Sequence, residues 1–206
     1  TVLAELLSDE DYGVRVAGFR ALGKVLGGDR TRVSLHALGS PHDHISSPAA
    51  SYLARSGDPA ILVARLGSVK NPETRRMLRE GLIRRAALPV PELAALLAGT
   101  DAAARAEAAW IAGYAGDAAK PLAEALAKSV AKSAAQVAAH RATPNAAALE
   151  LESDAWLASM WAARRVDASP AIEGAALGAV ADDRIASSIR REATANLAAA
   201  GSANAV

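Results

Sequence analysis

The chain has 206 residues, 51% of them hydrophobic but only 3% aromatic, and 23 Lys+Arg stand against 22 Asp+Glu for a net charge of +1. That balance excludes a globally basic nucleic-acid binder, and the absence of cysteine excludes disulfides, thiolate metal sites and a cysteine nucleophile. No uncharged apolar run reaches the roughly 18 residues that a membrane-spanning helix needs, so the core must be built from Ala, Leu, Val and Ile.

The chain opens at Thr1 without Met or a signal peptide. It reads as a trimmed or processed chain, or part of a longer one, so the compartment stays open with the cytoplasm as default. Thr1–Ser8 carries Val2, Leu3, Leu6 and Leu7 at helical spacing and is the first helix of a pair. Asp9-Glu10-Asp11 makes an acidic turn that favours a helix start. Val14–Gly23 follows as the second helix, stopped by Gly27-Gly28-Asp29. The second pair is Arg30–Leu38, a loop around Ser40–His44, and Pro48–Arg55 with Ser47 as N-cap. The third is Pro59–Leu66, capped by Asp58, with Pro72–Arg85, capped by Asn71. The fourth is Pro91–Ala98 with Asp101–Ala115. The fifth is a long hairpin over 118–165, made of Ala118–Ala142, a Thr143-Pro144-Asn145 break and Ala146–Arg165. A 25-residue helix is about 37 Å long, so this hairpin is expected to project. The last pair is Pro170–Ala181, capped by Ser169, and Ile185–Ala200, with Gly201 closing it and Ser202–Val206 frayed.

One phrase threads these second helices. Val14-Arg15-x-x-Gly18-x-x-Ala21-Leu22 returns around Ala50, Leu53 and Ala54, around Arg75, Leu78 and Leu82, around Arg105, Ala108 and Ala112, around Ala158, Trp161 and Ala162, and around Arg190, Ala193 and Leu197. Spacings near 30 residues, widening in the fifth unit, are those of a two-helix repeat that buries its apolar stripe against its neighbours. In the first, third and fourth units an Asp or Asn stands four residues before the Arg: Asp11 and Arg15, Asn71 and Arg75, Asp101 and Arg105.

This pattern resembles the second helix of a HEAT repeat, of the short bacterial type also seen in phycobilisome-lyase-like proteins. The resemblance covers nearly the whole chain. Units two and five lack both polar members, and unit six keeps only Arg190. The expected fold is an all-α, right-handed α-α superhelix, a HEAT-like solenoid of about six helix pairs in a single domain over 1–206, with the fifth pair elongated. The resemblance implies that Arg15, Arg75 and Arg105 hydrogen-bond between successive repeats.

Chemistry-bearing clusters are few. His36, His42, Asp43 and His44 are the only group of metal-ligand types, but nothing fixes the spacing of His36 to the loop, so solvated histidines are the simpler reading and no metal or cofactor is expected. Glu150 and Glu152 lie two apart and cannot share a helix face; Glu152 reads as a charge at the rim of the buried stripe. No nucleophile elbow or phosphate loop is present, so no catalytic residue is assigned. The run Lys70–Arg85 carries six cations against Glu73 and Glu80. It reads first as a solvated face; as a binding surface it suits an acidic protein patch better than nucleic acid, because its neighbouring second helices are not basic.

Aligning the units places Arg20, Tyr52, Trp110 and Met160 in one column, and Arg76 and Trp156 in another, with Arg79 at a further exposed position. These seven residues form the predicted binding stripe, since Trp, Tyr and Arg are the usual anchors of interfaces. The expected function is a non-catalytic scaffold or adaptor, a subunit of a larger complex, that takes a protein or peptide along the concave face. The alternatives are a bilin-lyase-like subunit, as the resemblance implies, and a nucleic-acid-binding HEAT-like protein.

Overall fold

The computed structural model describes residues 5–67, 69, 71–84, 88–142 and 145–201. All its regular elements are helical. The chain divides into two compact units, Thr1–Ala87 and Leu88–Val206.

The N-terminal unit begins with a 3-10 turn, Leu6–Ser8, where the sequence predicts an α-helix; residues 1–4 of that expected helix lie outside the described residues. Then come α1 (Tyr12–Val25), α2 (Arg30–Ala37), α3 (Asp43–Ser56), α4 (Pro59–Leu66) and α5 (Pro72–Ile83). Asp11, Asp29, Asp58 and Asn71 cap α1, α2, α4 and α5 by accepting backbone N–H groups of the first turn. Helix α3 departs from expectation. It starts at Asp43, five residues early, so Pro48 sits inside it rather than at its first position. Asp43 favours the first turn through the helix dipole, and Pro48, which is exposed, withholds only the N–H that would reach the His44 carbonyl. Leu53, Leu62, Val63, Leu66 and Leu78 are fully buried and form the core of this unit. Helices α3 and α5 pack closely because Gly81 has no side chain: an added Cβ would lie 2.4 Å from the Ala54 Cβ.

The C-terminal unit holds α6 (Val90–Ala98), α7 (Ala102–Ala115), α8 (Ala123–Ala142), α9 (Ala146–Arg165), α10 (Glu173–Ala181) and α11 (Ser187–Ala199). Helix α9 packs along α7, α8 and α11. The α7/α9 seam is built on alanine, with Ala108, Ala109, Ala112, Ala155, Ala158 and Ala162 at most 0% exposed. The expected helix from Ala118 starts at Ala123 instead; Gly116, at φ 57°, turns the chain and Gly116–Leu122, containing Pro121, winds as a 3-10 segment. Ser169 does not cap the next helix. Its hydroxyl bonds the Asn196 Oδ1 at 2.9 Å, and a 3-10 turn over Ser169–Ile172 precedes α10. The far end of the long hairpin is tied down: Arg141 pairs with Asp182 at 3.0 Å and donates to the Arg184 carbonyl at 2.5 Å. The predicted break at Thr143-Pro144 and the tail Ser202–Val206 lie outside the described residues, as do Lys70 and Arg85.

The repeated arginines have one geometry. Arg15 donates to the Asp9 carbonyl, Arg75 to Val69 and Arg105 to Gly99, each six residues back, at 2.6, 2.6 and 2.9 Å. The Asp or Asn caps the second helix, and the Arg one turn later clips the carbonyls of the preceding turn. The clip therefore closes the turn within a unit, rather than serving only between units. Two arginines also reach onward: Arg15 Nε donates to His44 Nε2 at 2.9 Å, and Arg105 pairs with Glu152. Glu152 is thus a buried partner of a fully buried guanidinium, not a rim charge. In the last unit Arg190 makes no such clip among the described residues; its Nε is buried without a hydrogen-bond partner, and Arg141 occupies the Arg184 carbonyl.

Candidate binding groove

Helices α3 and α5 touch along their length, whereas α1 and α3 scarcely meet. At one end they are joined by the Arg15–His44 bond and by Tyr12 against the His44 ring, with centroids 5.2 Å apart. Beyond that bridge lies an open groove of about 580 Å3. Its walls come from Tyr12, Val16, Phe19 and Gly23 of α1 and from His44, Pro48 and Tyr52 of α3, and Val33 of α2 lies behind them. These positions recur at spacings of three and four, which puts each set on one helix face. Bulk on both helices holds them apart: an imidazole, a proline ring and a phenol on α3 oppose a phenol and a benzyl ring on α1.

The groove is apolar along its middle and cationic at one end. Arg20 and Arg30 stand there, neither in an ion pair among the described residues. The Arg30 guanidinium lies over the Tyr52 ring at 4.6 Å. The Tyr52 hydroxyl is 3.3 Å from Thr31 Oγ1, and that hydrogen bond, with the neighbouring Ser56 hydroxyl and the Arg30 cation, draws the phenol below its ordinary pKa against the opposing effect of burial. Asp29 lies beside Arg30, but it is the N-cap of α2 and accepts the Arg32 N–H. At the other end, His44 is held below its ordinary pKa, first by loss of water around the ring, then by the Arg15 and His42 charges, with Asp43 opposing. Neutral His44 can accept the Arg15 N–H; imidazolium cannot.

Of the seven residues of the predicted stripe, Arg20 and Tyr52 line this groove. Arg76 lies on α5, tied to Glu73 at 2.5 Å and Glu80 at 2.5 Å; the Arg76 bond holds the Glu73 carboxyl below its usual range. Arg79 is half-buried. Trp110, on α7, is half-buried in a cluster with Trp161 at 4.8 Å and Tyr114 at 6.4 Å. Trp156 and Met160 overturn their expected exposure: they are 3% and 0% exposed, enclosed in the C-terminal unit. The fifth unit is packed on three sides by α7, α8 and α11, and this turns its column positions inward. Of the loop histidines, His44 has no Nε2 lone pair to give a metal, since that atom accepts from Arg15, and no group of three His, Asp or Glu side chains comes together among the described residues.

The reading from columns missed Tyr12, Phe19, Arg30, Tyr114 and Trp161. The three tryptophans, three tyrosines and one phenylalanine fall into a simple division. Tyr12, Phe19 and Tyr52 line the groove, Trp110, Tyr114 and Trp161 form the cluster, and only Trp156 is core. The scarcity of aromatics was the signal; Trp161 falls on a small/apolar position of the phrase, where it packs against Gly113 and Trp110. No described helix is long and apolar enough to cross a membrane. Comparison with family models and with curated proteins finds no match.

Proposed function

We propose that the chain is a non-catalytic binding module of HEAT-like, superhelical repeat type, a scaffold or adaptor that holds a segment of a protein partner, and that the α1/α3 groove is where that segment docks. The repeat reading is supported by the clip six residues back, used three times behind an Asp or Asn cap. The binding reading rests on one observation: the α1/α3 seam is held open and lined by three of the chain's scarce aromatics, while α3 and α5 are in close contact at Ala54 and Gly81 and leave only a smaller cleft of about 400 Å3, lined by no aromatic residue. A groove of this size, mostly apolar with a few polar groups, has the character of a binding site. Nucleic acid is less well supported, since Arg76 of the basic run is neutralised by Glu73 and Glu80.

The experiment is selection of binders from a random peptide display library on the full chain, repeated on Gly23→Trp. Gly23 lines the groove, and an added Cβ there meets nothing within 4 Å, so the indole fills the groove without breaking the fold. Binders lost on Gly23→Trp but kept on Gly178→Trp, a control glycine in similarly open space, support the groove. Binders indifferent to Gly23→Trp refute it.

A further inference from the structure

We infer that the occupant of the groove is an amphipathic helix of a partner protein, with an acidic residue at the edge of its apolar face that meets Arg20 and Arg30. The inference rests on the binding reading above and adds the partner's shape and charge. The groove is walled by two helices, and on α1 it runs from Tyr12 to Gly23, about 17 Å at 1.5 Å per residue. A partner helix of three turns covers that distance and places anchors at i, i+4, i+7 and i+11. At Gly23 an added Cβ would meet nothing within 4 Å, so the groove has space there for an apolar anchor.

Charge complementarity names the acid. Arg30 is the first residue of α2, where a cation faces the positive end of the helix dipole. Arg20 projects from α1 toward the same end of the groove, and Lys24 follows one turn later. No carboxylate lines the groove among the described residues, and Asp29, next to Arg30 in the chain, is engaged as the cap of α2. Two cations without an ion pair among the described residues, beside an open apolar trough, are matched by a carboxylate on the incoming face. Arg30, held over the Tyr52 ring at 4.6 Å, keeps its guanidinium at the groove end, where a carboxylate can pair with it.

The test uses a displayed library of helical 14-residue peptides. Apolar residues vary at the four anchor positions, and one flanking position at each end varies among Glu, Gln and Lys. Selection is made on the full chain, on Arg20→Glu/Arg30→Glu and on Gly23→Trp. The inference predicts enrichment of Glu at one end only, at least tenfold weaker binding of those peptides to the double charge variant, a switch of that position to Lys when selection is made on it, and weaker binding at high salt. Both arginines are exposed, so the double variant keeps its fold, checked by circular dichroism. Helical binders lost on Gly23→Trp but without charge preference overturn the acidic helix and leave the groove reading standing. Displacement of the peptides by dodecanoate at equal concentration overturns the helix in favour of a small amphiphilic acid. No binder that Gly23→Trp removes overturns both.

Discussion

Arg105 is fully buried and its guanidinium is shared between the Gly99 carbonyl and Glu152. Lys132 reaches the same Gly99 carbonyl at 2.7 Å, so the end of α6 is fastened from both α7 and α8. A buried pair of this kind is costly to break by halves, because the remaining charge has no water. Glu152→Ala is therefore expected to lower the stability of the C-terminal unit by about 3–5 kcal/mol, read from urea unfolding; a loss no larger than that of an exposed Glu→Ala would show that the pair is solvated. His44 makes a pH-dependent contact at the groove end. Its pKa is lowered in the folded chain, so the stability carried by the Arg15 bond is complete above the ordinary value near 6.5 and is lost as pH falls through the lowered value. The urea midpoint should fall between about pH 7.5 and about pH 5 by more in the native chain than in His44→Gln, whose amide oxygen accepts the same N–H without titrating. Equal falls would remove His44 as the cause.

At the scale of elements, the seams between second helices are set by side-chain size at a few positions. Gly81 admits α3 against α5, and Gly113 admits the Trp161 ring, where an added Cβ would lie 2.2 Å from Cζ3. The α1/α3 seam has no such glycine contact. Gly81→Ala should cost about 1–3 kcal/mol by forcing the two backbones apart, whereas Gly23→Ala should stabilise α1 by up to about 1 kcal/mol through helix propensity alone. Thermal melting of the two variants side by side checks the contrast, and a stable Gly81→Ala would mean that α3 and α5 can slide. The caps at Asp58 and Asn71 were legible because each is a short polar residue just ahead of a proline and an apolar helical pattern, whereas Asp11 and Asp101, expected as an acidic turn and a first helical residue, are caps as well. The early start of α3 was not, because Pro48 in a helix interior is a strong local signal for a boundary, and Asp43 with buried Ile45 and Ser46 overrides it. The late start of α8 was hidden by a run whose alanines suit a helix while Pro121 shifts it to 3-10 winding.

For the whole molecule, the all-helical class, the alanine core and the arginine phrase could be read from periodicity, which is a local property. Which faces stay exposed could not, because exposure depends on how closely neighbouring helices approach. Trp156 and Arg20 illustrate the point: both came from the same column logic, yet the first is enclosed between α9 and its neighbours and the second stands at the mouth of a groove. The arginine clip was legible as structural but its direction was not, since the i−6 carbonyl lies across a turn whose path the sequence does not state. The account's central claim is that the α1/α3 groove is the binding surface. Hydrogen–deuterium exchange of the full chain with and without a selected helical peptide tests it most directly. Protection concentrated in residues 12–23 and 43–52, absent in Gly23→Trp, is the predicted result; protection confined to residues 88–201 would contradict it.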